Sequence, residues 1–371
     1  MIAYGLVLAV AALVANGATP LVVAMARRVG AVDIPDDRKV HAVPTPTLGG
    51  AAIFLGFAGG FLVATLVPSL HESLGPFSLW PPSEPTGIAL GAAIIFFLGV
   101  IDDVKGLRAP AKLSGQLLAA GILFLSGVRL YYFRFPFVGA LSLSSDLSAI
   151  ITIAWIVIVV NAVNLIDGLD GLAAGITAIA AGTFFIYSYQ LSARGLAGPE
   201  QSAPLISILV VGATLGFLRY NFNPARIFMG DSGSMTLGFL LAAATIVGVG
   251  RSAPSNDLPE SVLFYLPLVI PLIVLAIPIL DTALAVVRRA RRGTHIFVAD
   301  KEHLHHRLLE IGHGHRQAVL IMYAWTAVIA GAGLALSFVP NRSITLLFLG
   351  AGAAILIYTM LPRLVRQSPR P

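Results

Sequence analysis

Residues 150–175 read "IITIAWIVIVVNAVNLIDGLDGLAAG". The run from Ile150 to Val160 holds no charge, and it is followed at once by Asn161, Asn164, Asp167 and Asp170. An apolar run of this kind reads as a membrane-spanning helix, because lipid offers no water to an unpaired backbone group. The polar cluster then marks the place where that helix leaves the bilayer.

The rest of the chain fits that reading. Of 371 residues, 57% are hydrophobic and only 11% are charged, against roughly 25% charged in an ordinary soluble chain. Eleven apolar runs are long enough to be spans, each bounded to within about three residues: 2–26, 49–70, 87–101, 113–128, 147–163, 171–191, 203–218, 234–250, 262–287, 318–338 and 343–361. Alternating ten-residue strands of a membrane barrel are absent from the pattern. The expectation is an all-α integral membrane protein, one polytopic catalytic domain over residues 1–371. The first run lacks a basic leader and is too long for a cleavable signal peptide. Zero Cys excludes disulfides and thiolate chemistry.

Charge separates the two sides. Nineteen of the 24 Lys and Arg fall in segments 27–48, 102–112, 219–233, 288–317 and 362–371. The positive-inside rule places that side in the cytoplasm, with the N-terminus outside and the C-terminus inside. The net charge of +6 is then a topology signal, and no nucleic-acid motif accompanies it. The cytoplasmic loops 27–48, 102–112, 164–170, 219–233 and 288–317 also collect the polar residues that are hardest to explain, so the active face is expected there.

Five groups carry that expectation. "IDDVKG" places Asp102 and Asp103 together at a span end, where two carboxylates need a cation or a basic side chain; the alternative is a solvated loop beside Lys105 and Arg108. In "NLIDGLDG", Asp167 and Asp170 stand i, i+3 and share a face on a helical turn; the alternative is an ordinary turn between spans. "FMGDSGSM" presents Asp231 at the start of a span, suited to a hard cation or to a helix cap by Asp231 or Ser232. A serine nucleophile in "GDSG" would need a positioned base that the fold class disfavours. "DKEHLHHRL" offers His303, His305, His306 and Arg307 as an anion clamp, a metal site or a basic membrane-surface loop; His313 and His315 beyond it read as loop residues. Asp281 lies inside the ninth run and is a functional candidate by position. Acidic groups for a divalent cation and basic groups for phosphate, all at one membrane face, suit phosphoryl transfer between a cytosolic nucleotide donor and a lipid acceptor.

The motifs "NAVNLIDGLDGLAAG", "NPARIFMGDSGSM" and "DKEHLHHRLLEIGHGHRQ", in this order, resemble the polyprenyl-phosphate N-acetylhexosamine-1-phosphate transferase family over about residues 30–320. "PDDRKVHAVPTPTLGG" and "HLHHRL" look more like its N-acetylglucosamine branch than its muramoyl-pentapeptide branch. The resemblance implies transfer of N-acetylglucosamine-1-phosphate from UDP-N-acetylglucosamine to undecaprenyl phosphate, with release of UMP, in a bacterial inner membrane. Such a step would begin a cell-envelope glycan such as lipopolysaccharide or teichoic acid. It implies magnesium, with manganese able to substitute, held by Asp231 and Asn164. It implies that Asp170 contacts uracil and Phe228 stacks on it, that Lys112 contacts phosphate, and that Asp102 and Asp103 are the essential acidic pair. His303, His305, His306 and Arg307 fall where the family holds diphosphate and sugar. Lys39 and Asn221 carry over as substrate contacts, and Asp167 as a catalytic position of unspecified role. A phospho-N-acetylmuramoyl-pentapeptide transferase or another UDP-HexNAc-1-phosphate transferase is the alternative within the family. An ion-coupled transporter is the alternative from another class, and a homodimer stays open.

Overall fold

A computed structural model of the protein describes residues 1–35, 43–135, 139–195, 202–249, 304–339 and 341–367. The run 262–287 with Asp281, and the site candidates Lys39 and His303, lie outside the described residues. The protein is an all-α integral membrane protein. Its helices are α1 (Ile2–Arg28), α2 (Gly50–Leu66), α3 (Pro68–Leu74), α4 (Glu84–Lys105), α5 (Ala109–Leu125) and α6 (Ser145–Ile166). They continue with α7 (Leu172–Ala193), α8 (Ala203–Asn221), α9 (Gly230–Val249), α10 (Leu304–Ile311), α11 (His315–Phe338) and α12 (Arg342–Gln367). Among the described residues, eight helices are long and apolar enough to cross a membrane.

Local chemistry explains the helix starts. Pro stands in the first turn of α3, α4, α5 and α8, where its missing N–H costs nothing and its fixed φ suits a helix. The Ser144 hydroxyl caps α6 by accepting from the Leu147 N–H at 3.4 Å. The run expected over 49–70 is not one straight span. Val67 is extended before Pro68, as the residue before proline prefers, and α3 turns 106° away from α2.

Small residues bring the helices close. α1, α2 and α8 meet where Gly56 and Gly212 both face Ala11, the packing that membrane helices use in place of a hydrophobic driving force. α9 lies at the centre, against α2, α4, α6 and α8. In its apolar window 89% of residues are buried within the protein, against 6% in α12. Gly99 on α4 makes the central crossing possible, since a Cβ there would overlap the Ser232 backbone on α9. Gly99→Ala is therefore expected to lower the melting temperature by several degrees, at a cost of about 1–3 kcal/mol. Gly121→Ala on α5 meets nothing within 4 Å and serves as the control; a Gly99 variant melting like that control would remove the crossing as a constraint.

Two short antiparallel strand pairs are also described: β1 (Val32–Asp33) with β2 (Thr45–Pro46), and β3 (Tyr132–Phe135) with β4 (Gly139–Ser142). After β2 the chain lies along residues 228–229. The Phe228 N–H donates to the Pro46 carbonyl at 2.8 Å, and the Gly49 and Gly50 N–H groups donate to the Phe228 and Met229 carbonyls at 2.9 and 2.8 Å. Those bonds bind the first polar loop to the approach of α9. The C-terminal ends of α4, α6 and α8 and the N-terminal ends of α5, α7, α9 and α11 meet at this same end of the bundle.

Candidate active site

α4 carries Asp102 and Asp103 in its last turn and stops at Gly106, whose φ of 68° is left-handed. Both carboxylates thus ride on a helix end, where a loop beginning at residue 102 was expected. Neighbouring helical residues point about 100° apart, and these two serve different neighbours. Asp102 accepts from the Leu107 N–H at 2.5 Å through Oδ1 and pairs with the Lys112 ammonium through Oδ2. α5 sends Lys112 back over the end of α4, where the ammonium also pairs with Asp231 of α9. Side-chain exposure is 9% for Asp102, 22% for Lys112 and 28% for Asp231. The cluster therefore opens to solvent on its Asp231 side.

Asp103 faces the beginning of α9. Its Oδ1 accepts from the Asp231 N–H at 2.7 Å. Its Oδ2 accepts from the Ser232 N–H at 3.1 Å and from the Ser232 hydroxyl at 2.6 Å. On the far side of Asp231, the last turn of α6 brings in Asn164. The Asn164 Nδ2 donates to Asp231 Oδ1 at 2.8 Å and to the Ser234 hydroxyl at 2.9 Å. Asn161, one turn earlier, donates to the buried Gln116 Oε1 of α5 at 2.8 Å, which ties α6 to the helix that carries Lys112.

Asp167 follows α6 directly. Its side chain keeps a partial opening to solvent but lies deep among neighbouring atoms. Burial first, then the charges of Asp231, Asp103 and Asp170, push its pKa from the ordinary 3.8 up to about 8. A raised carboxyl pKa means that its stabilising contribution is complete below the unfolded value and is lost as pH rises toward the folded one. Asp167→Asn is neutral at every pH. In chelator, its melting temperature is expected to exceed that of the wild type by a margin that grows from pH 5 to pH 8 and then levels. A margin independent of pH would place the Asp167 carboxyl in an ordinary solvated setting.

Asp170 belongs to a second polar group a short way along. Its Oδ2 accepts from the Asn223 Nδ2 at 2.8 Å and from the Ala225 N–H at 3.1 Å. Its own N–H donates to His315 Nε2 at 3.2 Å. His315 is thus the first residue of α11 rather than a loop residue. Arg316 donates to the Asn223 carbonyl at 2.8 Å, and the Tyr323 hydroxyl donates to the Gly171 carbonyl. Asn221 is 2% exposed, and both ends of its amide serve the backbone: it accepts from the Gly171 N–H at 3.1 Å and donates to the Ile227 carbonyl at 3.0 Å. Those bonds hold the 167–171 turn against the 221–227 turn. Phe228 is half-buried next to β2.

The structure therefore gathers Asp102, Asp103, Lys112, Asn164 and Asp231 in one hydrogen-bonded cluster and Asp170 in an adjoining one, with Asp167 within reach of the charges of both. His305, His306 and Arg307 fall within α10. Ser232, Ser234, Asn223 and His315 were not singled out from sequence as site residues. Ser232 and Ser234 lay in view inside "FMGDSGSM", but nothing local to them says which carboxylate or amide they meet.

The donor set suits a hard cation. Among the described residues no three His, Asp or Glu side chains converge on one point. Magnesium does not require that, since it keeps several waters and takes one or two carboxylates plus phosphate oxygens. The Lys112 ammonium already sits between the Asp102 and Asp231 carboxylates, so the cluster attracts positive charge. Asn164 turns its N–H toward Asp231; rotating that amide would present an oxygen instead, an arrangement favoured only with a cation between them.

Comparison with known proteins assigns the chain to a family. Residues 85–249 match the family described as glycosyl transferase family 4. Over 362 residues the chain is 41% identical to a decaprenyl-phosphate N-acetylglucosaminephosphotransferase of Mycobacterium tuberculosis, covering 96% of this chain and 88% of that protein. The chain belongs to the polyprenyl-phosphate N-acetylhexosamine-1-phosphate transferase family. A probable undecaprenyl-phosphate N-acetylglucosaminyl 1-phosphate transferase of Bacillus subtilis is 37% identical, over 82% of this chain and 77% of that one. A phospho-N-acetylmuramoyl-pentapeptide-transferase of Desulforudis audaxviator is 31% identical, over 80% and 86%. The protein is a multi-pass membrane enzyme of the glycosyl-1-phosphate transferase class. The matched residues 85–249 contain both polar groups of the site except for His315, Arg316 and Tyr323. Ion-coupled transport is set aside by the family, and the polar groups described above gather at one end of the bundle, which suits a surface enzyme.

Proposed function

We propose that this enzyme transfers N-acetylglucosamine-1-phosphate from UDP-N-acetylglucosamine to a polyprenyl phosphate in the bilayer, releasing UMP. The observation that carries the reading is the Lys112 ammonium held between Asp102 and Asp231 at a helix-bundle end, where a membrane-bound phosphate and a soluble diphosphate can meet. The names of the mycobacterial and Bacillus relatives support the N-acetylglucosamine donor. They divide on the acceptor, decaprenyl in one and undecaprenyl in the other, so both belong in the assay. The density of Lys and Arg on this side supports a cytoplasmic active face of a bacterial inner membrane.

The chemistry is a displacement at phosphorus. An oxygen of the acceptor phosphate attacks the β-phosphorus of the donor, the bond from that phosphorus to the α–β bridging oxygen breaks, and UMP leaves with that oxygen. Magnesium, held by Asp231 and Asn164, would neutralise the donor diphosphate. Lys112, beside Asp231, orients phosphate oxygens as a point charge. Asp102 has little to do as a base, because a phosphate monoester with a second pKa near 6 is already mostly ionised. Both of its oxygens are engaged, by Leu107 and Lys112, which supports an electrostatic role and one-step attack. Asp170 and Phe228 take the uracil, and His303, His305, His306 and Arg307 the diphosphate and sugar.

Radioactive UMP release tests this directly. The purified chain, with magnesium, is given UDP-GlcNAc, UDP-GalNAc or UDP-MurNAc-pentapeptide, each with undecaprenyl or decaprenyl phosphate. UDP-GlcNAc is expected to turn over fastest. A higher rate with the muramoyl-pentapeptide donor would move the protein to the family's other branch, and no release from any donor would end the proposal. A phospho-enzyme trapped from UDP-GlcNAc in the absence of acceptor would replace one-step attack by a two-step route through an aspartyl phosphate.

A further inference from the structure

The first N–H groups of any helix have no partner within it, and they are usually met by a side chain just upstream in the same chain. At α9 that local position is Gly230 or the preceding Met229, neither of which has a side-chain acceptor. The partner comes instead from α4. Asp103 accepts three bonds, from the Asp231 N–H, the Ser232 N–H and the Ser232 hydroxyl. An ionised carboxylate has about four acceptor positions, so this cap occupies most of what Asp103 can offer. Gly230 leaves room for it: its φ is +70°, and a Cβ there would come within about 2.5 Å of the Asp103 carboxylate. Gly99, one turn before Asp103 on α4, lets the Ser232 backbone approach. The close crossing of α4 and α9 and the cap are thus one construction.

We propose that Asp103 is a positioning residue. It caps α9 from the neighbouring helix and thereby fixes the direction in which Asp231 leaves that helix, toward Asn164 and Lys112. The inference rests on the reading of Asp231 as a magnesium ligand. It gives the two adjacent carboxylates of "IDDVKG" separate work: Asp102 holds Lys112, and Asp103 holds the backbone that bears Asp231. The three bonds leave Asp103 one acceptor position, on Oδ1, so most of its carboxylate is committed to the cap rather than to a metal or to phosphorus.

Ser232 supplies the discriminating variant, because it is fully buried and shares the cap without carrying charge. The full-length protein, reconstituted in lipid nanodiscs, is titrated with magnesium alone and followed by its melting temperature. Wild type, Ser232→Ala, Asp103→Asn and the double variant are compared. Loss of a group supporting a metal ligand costs roughly tenfold or more in metal affinity, so Ser232→Ala is expected to raise the half-saturating magnesium about tenfold. Asp103→Asn should raise it further, and the double variant should fall short of the product of the two, since both remove the same cap. Saturating magnesium should restore much of the UMP release of Ser232→Ala. A Ser232→Ala protein with the wild-type magnesium requirement would overturn the proposal. So would Asp103→Asn and Ser232→Ala effects that simply multiply. If Asp103→Asn does not fold, Ser232→Ala decides alone. A wild-type magnesium response without UMP release from any donor would fail the transfer reading and leave the cap standing; a wild type without a magnesium response would overturn the positioning role together with the metal reading.

Discussion

Asp231→Asn is expected to reduce UMP release to background, a loss of about a thousandfold or more, while the protein still folds. Asp231 is where the other groups converge: its Oδ1 accepts from Asn164 at 2.8 Å and its Oδ2 pairs with Lys112. The reaction gathers negative charge from a diphosphate and a phosphate at one point, and offsetting that charge is most of what such an enzyme must do. A thousandfold corresponds to about 4 kcal/mol of transition-state stabilisation, within the range that a single well-placed electrostatic group supplies. Asparagine has the same shape and still accepts a hydrogen bond from Asn164. The Asp103 cap on α9 uses the backbone of residue 231 and survives. The melting temperature without magnesium should then change little, and the rise that magnesium produces in wild type should disappear. A variant that keeps a tenth of the activity with an unchanged magnesium requirement would take Asp231 out of the metal site.

What could be read in advance follows from what lipid enforces. A chain crossing a bilayer must satisfy its backbone internally, so each span leaves an apolar run of predictable length. Ten of the expected runs coincide with described helices, α2 and α3 together answering to 49–70. The ends were less legible. α4 runs on to Lys105 and α9 begins at Gly230, so Asp102, Asp103 and Asp231 ride on helices. The apolar stretch stops short of them because helix ends at a membrane surface tolerate charge. The convergence of the acidic groups was legible in part: Asp102 and Asp103, Asp167 and Asp170, and Asp231 all stand at span ends on the side that the Lys and Arg count set apart, and the structure brings them to one end of the bundle. The pairings were not. Asp103 with Ser232, Asn164 with Ser234, and Asp170 with Asn223 and His315 join segments far apart in the chain, and a single sequence holds no signal for which carboxylate meets which partner. Asn221 shows the same limit from the other side: the resemblance implied a substrate contact, and in the structure both ends of its amide bond backbone groups.

Lys112→Ala is expected to lose about a hundredfold to a thousandfold in UMP release, and its response to magnesium should separate its two roles. In the structure the ammonium is the cation that lets Asp102 and Asp231 stand close together. Without it the two carboxylates repel across a partly buried gap, and in chelator the melting temperature should fall by several degrees. The pair is open enough to solvent that the full penalty of breaking a buried ion pair does not apply. Magnesium can take over the electrostatic part of the work, since a divalent ion at Asp231 offsets the same two charges. The magnesium-induced rise in melting temperature should therefore be larger in Lys112→Ala than in wild type. Activity should not recover with it, because a metal at Asp231 does not replace the hydrogen bonds that the ammonium donates to phosphate oxygens. If magnesium restored turnover as well as stability, Lys112 would be a placeholder for the metal, and the phosphate contact would have to come from another basic group, with Arg307 and Lys39 the first to substitute.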